Sequence, residues 1–486
     1  MIIPKGTTKK VLVSQVYVRV QPGDLDDSGA LLAGRDVQLN LSADATNSGT
    51  IAGRNLVQIN AKNIQNMGGN VSGAAVALLA EQDINNIGGQ IQAQSAALLS
   101  AGRDINITTT TQSSANRAGN NSFAQTGIDR VAGLYVSGPA GVLIASAGRD
   151  LNLTAAQISN QGSGLGSATT LSAAQNINLG TVTTSSSQDI RWSGVNYLRQ
   201  SNSQDVGSQI NTTGNLTLNA GQDLSAKAAT INAGQALNVT AQRDLNITTG
   251  QTSQSLDTAN RVTSKGMMSS RTLSTRQTSQ STTAVASNLE GQSVSISAGQ
   301  DQQTASNYSQ TTREASGIAK AVGKLINTLD PIGTRIPGTA QSLVAGALLT
   351  RSQQTGKTVQ TTSTVRSSSL SGDTVDISSG RDTTLKAAQV VADGAVSIQA
   401  GGQIQLQAAE QIQQSNANNS SDKSGLLSAK ALSFSIGTSQ QTQTEQQPKN
   451  HGCGTEHPDH ESRGKCQHQP KQAAQQLPKR ERTKWH

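Results

Sequence analysis

The sequence predicts an all-β fold, a parallel β-helix with coils of about 20–21 residues, interrupted by polar loops and one inserted helical hairpin. Three observations predict it. First, a tetrapeptide, A-G-R-D, recurs at Ala33–Asp36, Ala101–Asp104 and Ala147–Asp150, with near-copies starting at Ala52, Ala80, Ala220, Ala241, Ala298 and Ser379. The intervals Ala80 to Ala101, Ala220 to Ala241 and Ser379 to Ala400 are each 21 residues, and Ala33 to Ala52 is 19. Second, apolar residues follow the tetrapeptide at every second position, the mark of a strand with one buried face. Third, aromatic residues make up only 2% of 486 residues, while glycines number 47. A conventional core of this size wants large side chains. A disordered polar chain or a thin-cored solenoid remain, and regular alternation decides for the solenoid.

Residues 1–27 read as a lead-in. Val13 to Val20, V-S-Q-V-Y-V-R-V, alternates like a strand, and Gln21-Pro22-Gly23-Asp24 is a turn. Residues 28–249 read as β-helix repeats. Their inward positions are Val37, Leu39 and Leu41; Ile105 and Ile107; Ile177 and Leu179; Leu216 and Leu218; Leu237 and Val239; Leu245 and Ile247. Some units carry a second element, Met67-Gly68-Gly69 or Ile87-Gly88-Gly89, whose glycines supply positive φ at corners. Eleven or so coils at about 4.8 Å each would make a rod on the order of 50 Å. The Asn after the first apolar residue, as in Asn106 and Asn152, either stacks into a hydrogen-bonded ladder or is merely tolerated on the solvent face.

Polar Ser/Thr-rich runs interrupt the pattern at Thr108 to Gly127, at 250–290 and at 351–370. They read as loops, extruded frayed strands or local disorder. A short β repeat, 291–311, follows the second. Residues 312–350 change period: Ile318, Val322, Leu325, Ile326 and Leu329 stand at helical spacing, Asp330-Pro331 ends the helix, and Gln341 to Thr350 reads as a second one. This hairpin is either a flap packed on the rod or a membrane-active amphipathic segment. Residues 371–447 resume the repeat, with Val375, Ile377, Leu385, Val396, Ile398, Ile404 and Leu406 alternating. Residues 448–486 read as an aberrant, basic, disordered tail, such as translation past a frameshift would give. All five His and both Cys lie there. His451, Cys453, His457, His460, Cys466 and His468 match no structural zinc spacing, so no metal site is assigned.

The formal charge is +8, and half of it comes from Lys449 to Lys484, so the repeat body is expected to be only mildly basic. No lysine stripe with interleaved aromatics occurs, which argues against nucleic acid as a partner. Residues 1–20 do not read as a signal peptide, and no run of 18 apolar residues is present. No constellation looks catalytic, and no cofactor is implied. Asp36, Asp104, Asp150 and Asp244 recur once per unit, a corner role, whereas a glycan-cleaving β-helix needs acids clustered in one groove. The Arg-Asp pairs read as solvated corner charges, with stacked like charges expected to repel.

Ile128-Asp129-Arg130-Val131-Ala132-Gly133-Leu134-Tyr135-Val136, followed by Ala147 to Ala156, resembles the haemagglutinin-repeat region of two-partner-secretion exoproteins. These are the filamentous haemagglutinins and, more closely, the CdiA-type effectors of contact-dependent growth inhibition. Val13 to Leu25 is similar to the segment opening the second repeat region of such effectors. The resemblance covers Val13 to Gln447. It implies a right-handed parallel β-helix in a surface filament of a Gram-negative cell, exported by an outer-membrane transporter of the two-partner type. It further implies a non-enzymatic structural and delivery segment that meets the target cell's outer membrane or a surface receptor. The alternative is an adhesin segment. Neither a toxin domain nor the family's secretion domain is recognisable, so the sequence reads as a fragment.

Overall fold

In this computed structural model, residues 30–164, 166–265, 270–305, 313–316, 350–430 and 433–453 are described. Among them there is no helix; the chain is a three-sided parallel β-helix with a second, antiparallel sheet beside it.

Each coil turns through three strand positions. One coil shows the arrangement: after Leu224–Lys227 closes the coil below come Thr230–Ala233, then Ala236–Ala241, then Leu245–Thr248. Four-residue strands such as Leu224–Lys227 stack into an 11-stranded parallel sheet, so eleven coils are described. The other two positions make one 18-stranded sheet, because in the first four coils they are a single long strand, for example Thr50–Ala61. The stacking is in register. Leu216 lies beside Leu237, Leu237 beside Val294, and Val294 beside Val375.

Alternation sends one side chain in two inward, and those chains fill the tube as continuous columns. Ile105, Leu151, Ile177, Leu224 and Leu245 stack in one, all at most 1% exposed. Small and branched aliphatics suffice because the tube is narrow and each column repeats one size of side chain. At roughly 25 cal/mol per Å² of apolar surface removed from water, this thin core is what holds the rod together. The inward positions expected from the sequence are buried, except at the outermost coils: Leu41 is 41% exposed and Leu406 73%.

Eleven coils extend from residue 31 to 407, whereas the sequence suggested that number by residue 249; only eight have been completed by Thr248. The difference lies in residues that leave the rod. Thr108 to Gly127 and the expected polar loops 250–290 and 351–370 are mainly strands of antiparallel hairpins. So are residues 182–206, inside the segment read as plain repeats, and Glu410–Lys430 with Ser433–Cys453. The expected helical hairpin at 312–350 is not seen. Arg313–Ser316 and Thr350 are strand, and residues 317–349, where its helices were placed, lie outside the described residues. The strand Ser433–Cys453 crosses the expected start of the aberrant tail at 448; residues 454–486 and 1–29, which include the lead-in 1–27, also lie outside.

Candidate functional site

The ten strands that leave the rod form one sheet. They come as five excursions: Thr111–Ala118 with Asn121–Ile128, Val182–Arg191 with Tyr197–Val206, Gly250–Lys265 with Ser270–Val285, Arg313–Ser316 with Thr350–Thr364, and Glu410–Lys430 with Ser433–Cys453. All five depart from the same corner, just after the four-residue strand of the fourth, sixth, eighth, ninth and eleventh coils.

At five of the six coils that keep their chain inside, all but the first, that corner is closed by one left-handed residue. These are Gly68 (φ 72), Gly88 (φ 62), Ala155 (φ 46), Ala228 (φ 49) and Ala387 (φ 44), in the second, third, fifth, seventh and tenth coils. The corner therefore has two solutions, a tight left-handed turn or an excursion. Spacing explains why the excursions fuse. A hairpin is two strands, about 9.6 Å, wide, and two coils rise by the same amount, so a hairpin from every second coil tiles a continuous sheet. Only the eighth and ninth coils break the alternation. There the strand Arg313–Ser316 is four residues long, and beyond its ends Ser270–Val285 pairs directly, in parallel, with Thr350–Thr364.

Buried hydroxyls anchor the roots. Ser208 Oγ donates to the Leu153 carbonyl (2.7 Å) and accepts from the Ala156 amide (3.1 Å). Ser287 Oγ donates to the Thr248 carbonyl (2.6 Å) and accepts from the Ala229 amide (3.1 Å). Thr109 Oγ1 donates to the Ala155 carbonyl (2.6 Å) and accepts from the Ala132 amide. Each ties an excursion to the tight corner of a neighbouring coil. Asp205 joins three layers: it accepts from Thr183 Oγ1 (2.8 Å), Lys227 Nζ (2.9 Å) and the Gln251 amide (3.1 Å). Burial pushes its pKa up, but these donors together outweigh that and hold it below the ordinary carboxylate value.

Further out, both faces of the sheet are polar. Arg199 pairs with Asp189, Arg276 with Asp257, and the Arg199 guanidinium lies 4.7 Å from the Tyr197 ring centroid. A hollow of about 400 Å³ on one face of the first two hairpins is lined by Asn116, Phe123, Gln125, Gln188 and Gln200 among others. Such a surface offers hydrogen-bond donors and acceptors in rows at strand spacing.

The A-G-R-D tetrapeptide occupies two different places. Ala33–Asp36 and its near-copy at Ala52 sit inside long strands, at the irregularity where two sides of the coil meet. The later copies sit at the corner before the four-residue strand. There the Asp or Asn of each coil accepts the backbone amide of its counterpart above: Asp83 from Asp104, Asp104 from Asp150, Asp150 from Asn176, Asn176 from Asp223, Asp223 from Asp244, Asp244 from Asp301, and Asp301 from Asp382. Stacked carboxylates do not simply repel, because an Arg of the next coil neutralises several. Arg103 binds Asp83, Arg149 Asp104, Arg243 Asp223 and Arg381 Asp301. The guanidinium contacts hold Asp83, Asp223 and Asp301 below the usual carboxylate range. Glycine at this corner reflects close approach: a Cβ on Gly148 would stand 2.2 Å from the Gly102 carbonyl, and one on Gly380 2.0 Å from that of Gly299.

The Asn ladder exists. Asn106 Nδ2 donates to Asn85, Asn152 to Asn106 and Asn178 to Asn152, at 2.8–2.9 Å. A second, inward ladder joins Asn47, Asn66 and Asn86, the last two also donating to the Gly69 and Gly89 carbonyls. The Ile128 to Val136 stretch is the return of the first excursion, whose last part, Gly133–Val136, rejoins the rod. Among the described residues no group of three or more His, Cys, Asp or Glu could hold a metal ion, and no helix is long and apolar enough to cross a membrane. His451 and Cys453 lie in the last strand, and the other His and Cys lie outside the described residues.

No curated protein and no solved structure matches the chain. One family model, the Hemagglutinin repeat, matches twice, at residues 130–261 and 349–456. The first match starts as the chain re-enters the rod, takes in the second excursion and ends within the outgoing strand of the third; the second runs from the returning strand of the fourth excursion through the last strand. These two matches identify the chain as a haemagglutinin-repeat region of the two-partner-secretion exoproteins.

Proposed function

We propose that the chain is a non-enzymatic structural and delivery segment of a contact-dependent growth inhibition exoprotein, with the antiparallel sheet as its contact surface. The coarser statement needs no proposal: a haemagglutinin-repeat region is a structural or adhesin segment of a secreted, cell-surface protein of a Gram-negative bacterium. One observation carries the finer reading. All excursions leave by one corner and fuse, so the rod presents a continuous polar sheet along one side while its remaining sides stay smooth. A rod of this kind sets a distance, and a sheet on one side of it sets an orientation. Export through a two-partner outer-membrane transporter and engagement of the target cell's outer membrane or a receptor belong to the same reading.

The test is made in an intact exoprotein carrying this segment. Residues 182–207 are replaced by a tight corner like that at Ala228. Loss of growth inhibition with attachment to target cells retained supports delivery. Loss of attachment as well makes the segment an adhesin. Unchanged attachment and inhibition overturn the proposal.

A further inference from the structure

Charge is divided between the two parts of this molecule. The ten strands of the outer sheet contain 13 Lys and Arg against 7 Asp and Glu, a net of +6. The rod, counted over residues 30–110, 129–181, 207–249, 286–305 and 365–409, contains 11 against 15, a net of −4. The repeat body expected to be mildly basic is thus acidic in its rod, and its basic residues are carried outward on the excursions.

Within the sheet most acids stay inboard; the exception is Asp422, in register with Gln353, Thr272 and Thr263, where the cations still outnumber it. Asp205 is at a root, and Asp189 and Asp257 are engaged by Arg191, Arg199 and Arg276 halfway out. Beyond that level the third excursion carries Arg261, Lys265 and Arg271, all exposed and, among the described residues, without an ion-pair partner. Arg261 and Lys265 share one face, being four apart in a strand. Arg271 lies opposite Ser264 and so belongs to the other face. Arg351 and Lys423 stand in register with this rim, Arg351 beside Ser270 and Lys423 beside Ser352, which itself adjoins Arg271. Val262, 53% exposed, sits among them.

We propose that this distal rim is a cationic contact surface for the phosphate-bearing lipid leaflet of a Gram-negative outer membrane. The inference rests on the contact role given to the sheet above and names the chemistry of what it meets. Charge complementarity carries it: cations on both faces of a thin edge can engage anionic headgroups as that edge approaches end-on. The acidic rod is repelled by the same leaflet, which turns the molecule rim-first. Such attraction is worth about fivefold in affinity per basic residue near an anionic surface, and it decays within a Debye length.

The full chain is tested by co-sedimentation with vesicles of phosphatidylcholine alone and of phosphatidylcholine mixed with lipopolysaccharide. Binding is expected only to the mixed vesicles and should weaken steeply with added salt. The triple variant R261Q/K265Q/R271Q should lose on the order of a hundredfold in affinity at unchanged far-UV circular dichroism. The control R35Q/R54Q/K62Q removes the same charge from the exposed surface of the rod and should change binding less than twofold. Equal losses in both variants, or salt-insensitive binding, would overturn the proposal. So would competition by inorganic phosphate at low millimolar concentration, or a preference for duplex DNA over the vesicles. Failure here with attachment in the exoprotein still dependent on the 182–207 excursion removes the lipid chemistry and leaves the delivery reading standing.

Discussion

Ser208→Ala tests whether buried hydroxyls fix the excursions to the rod. Ser208 is wholly buried, and its hydroxyl serves the Leu153 carbonyl at 2.7 Å and the Ala156 amide at 3.1 Å. Ala156 follows the left-handed corner at Ala155, where the chain turns without an excursion of its own. Alanine leaves the Ala156 amide buried with its donor unmet, and deprives the carbonyl of one donor. An orphaned buried polar group costs roughly 1–3 kcal/mol, so a loss of about 2 kcal/mol is expected. Ser201→Ala, on the exposed part of the same excursion, should stay within about 0.5 kcal/mol of the parent. Urea denaturation followed by circular dichroism gives the stability change. Amide hydrogen exchange locates it, with lost protection at Ala156 and along 182–206 and retained protection in the coils at 30–80. A denaturation midpoint equal to that of Ser201→Ala, with exchange at Ala156 unaltered, would refute the argument that these hydroxyls hold the roots.

Three further outcomes follow from the corners. Ala228→Gly should raise stability by about 0.5 kcal/mol, because relief of left-handed strain exceeds the added chain entropy, whereas Ala228→Val should lower it, both read from denaturant midpoints. Gly380→Ala sets a methyl 2.0 Å from the Gly299 carbonyl and should cost about 1–3 kcal/mol, visible as a lowered melting temperature. The pKa values of Asp83, Asp223 and Asp301 are depressed in the folded state, so their contribution is present above the unfolded carboxylate value, near 4, and is lost as pH falls through the lower folded value. The rod should therefore lose stability on acidification below about pH 4, and Arg103→Gln with Arg243→Gln should be less stable at neutral pH and less pH-dependent below it. A variant titrating in parallel with the parent would contradict the guanidinium assignment.

Much of the rod could be read from residues alone. A strand of alternating Ile, Leu or Val between polar neighbours dictates one buried face, and a 21-residue interval dictates a coil, because both are consequences of local chain geometry. The same holds for the ladder of Asn106, Asn152 and Asn178, since in-register parallel stacking places like residues side by side, and for positive φ at Gly68 and Gly88. The hollow beside Phe123 and the buried hydroxyls of Thr109, Ser208 and Ser287 carried no comparable signal: isolated Ser and Thr in a chain rich in both look alike until burial separates them.

What only the tertiary structure decided is the outer sheet. Sequences such as Thr-Ser-Gln-Ser and Thr-Gln-Ser-Ser have no buried face, so they lack the alternation that marks a strand. They are strands because each excursion finds the next one beside it, as when Gln204 meets Thr252 across an interval that includes two full coils. That meeting depends on the equality between two coil rises and one hairpin width, a property of the assembled rod and not of any segment. The corner pairing is decided in the same way. The sequence writes Arg149 next to Asp150, but Asp104, one coil below, receives its bidentate hydrogen bonds, because stacking brings the coil beneath nearer in space than the chain brings its own neighbour.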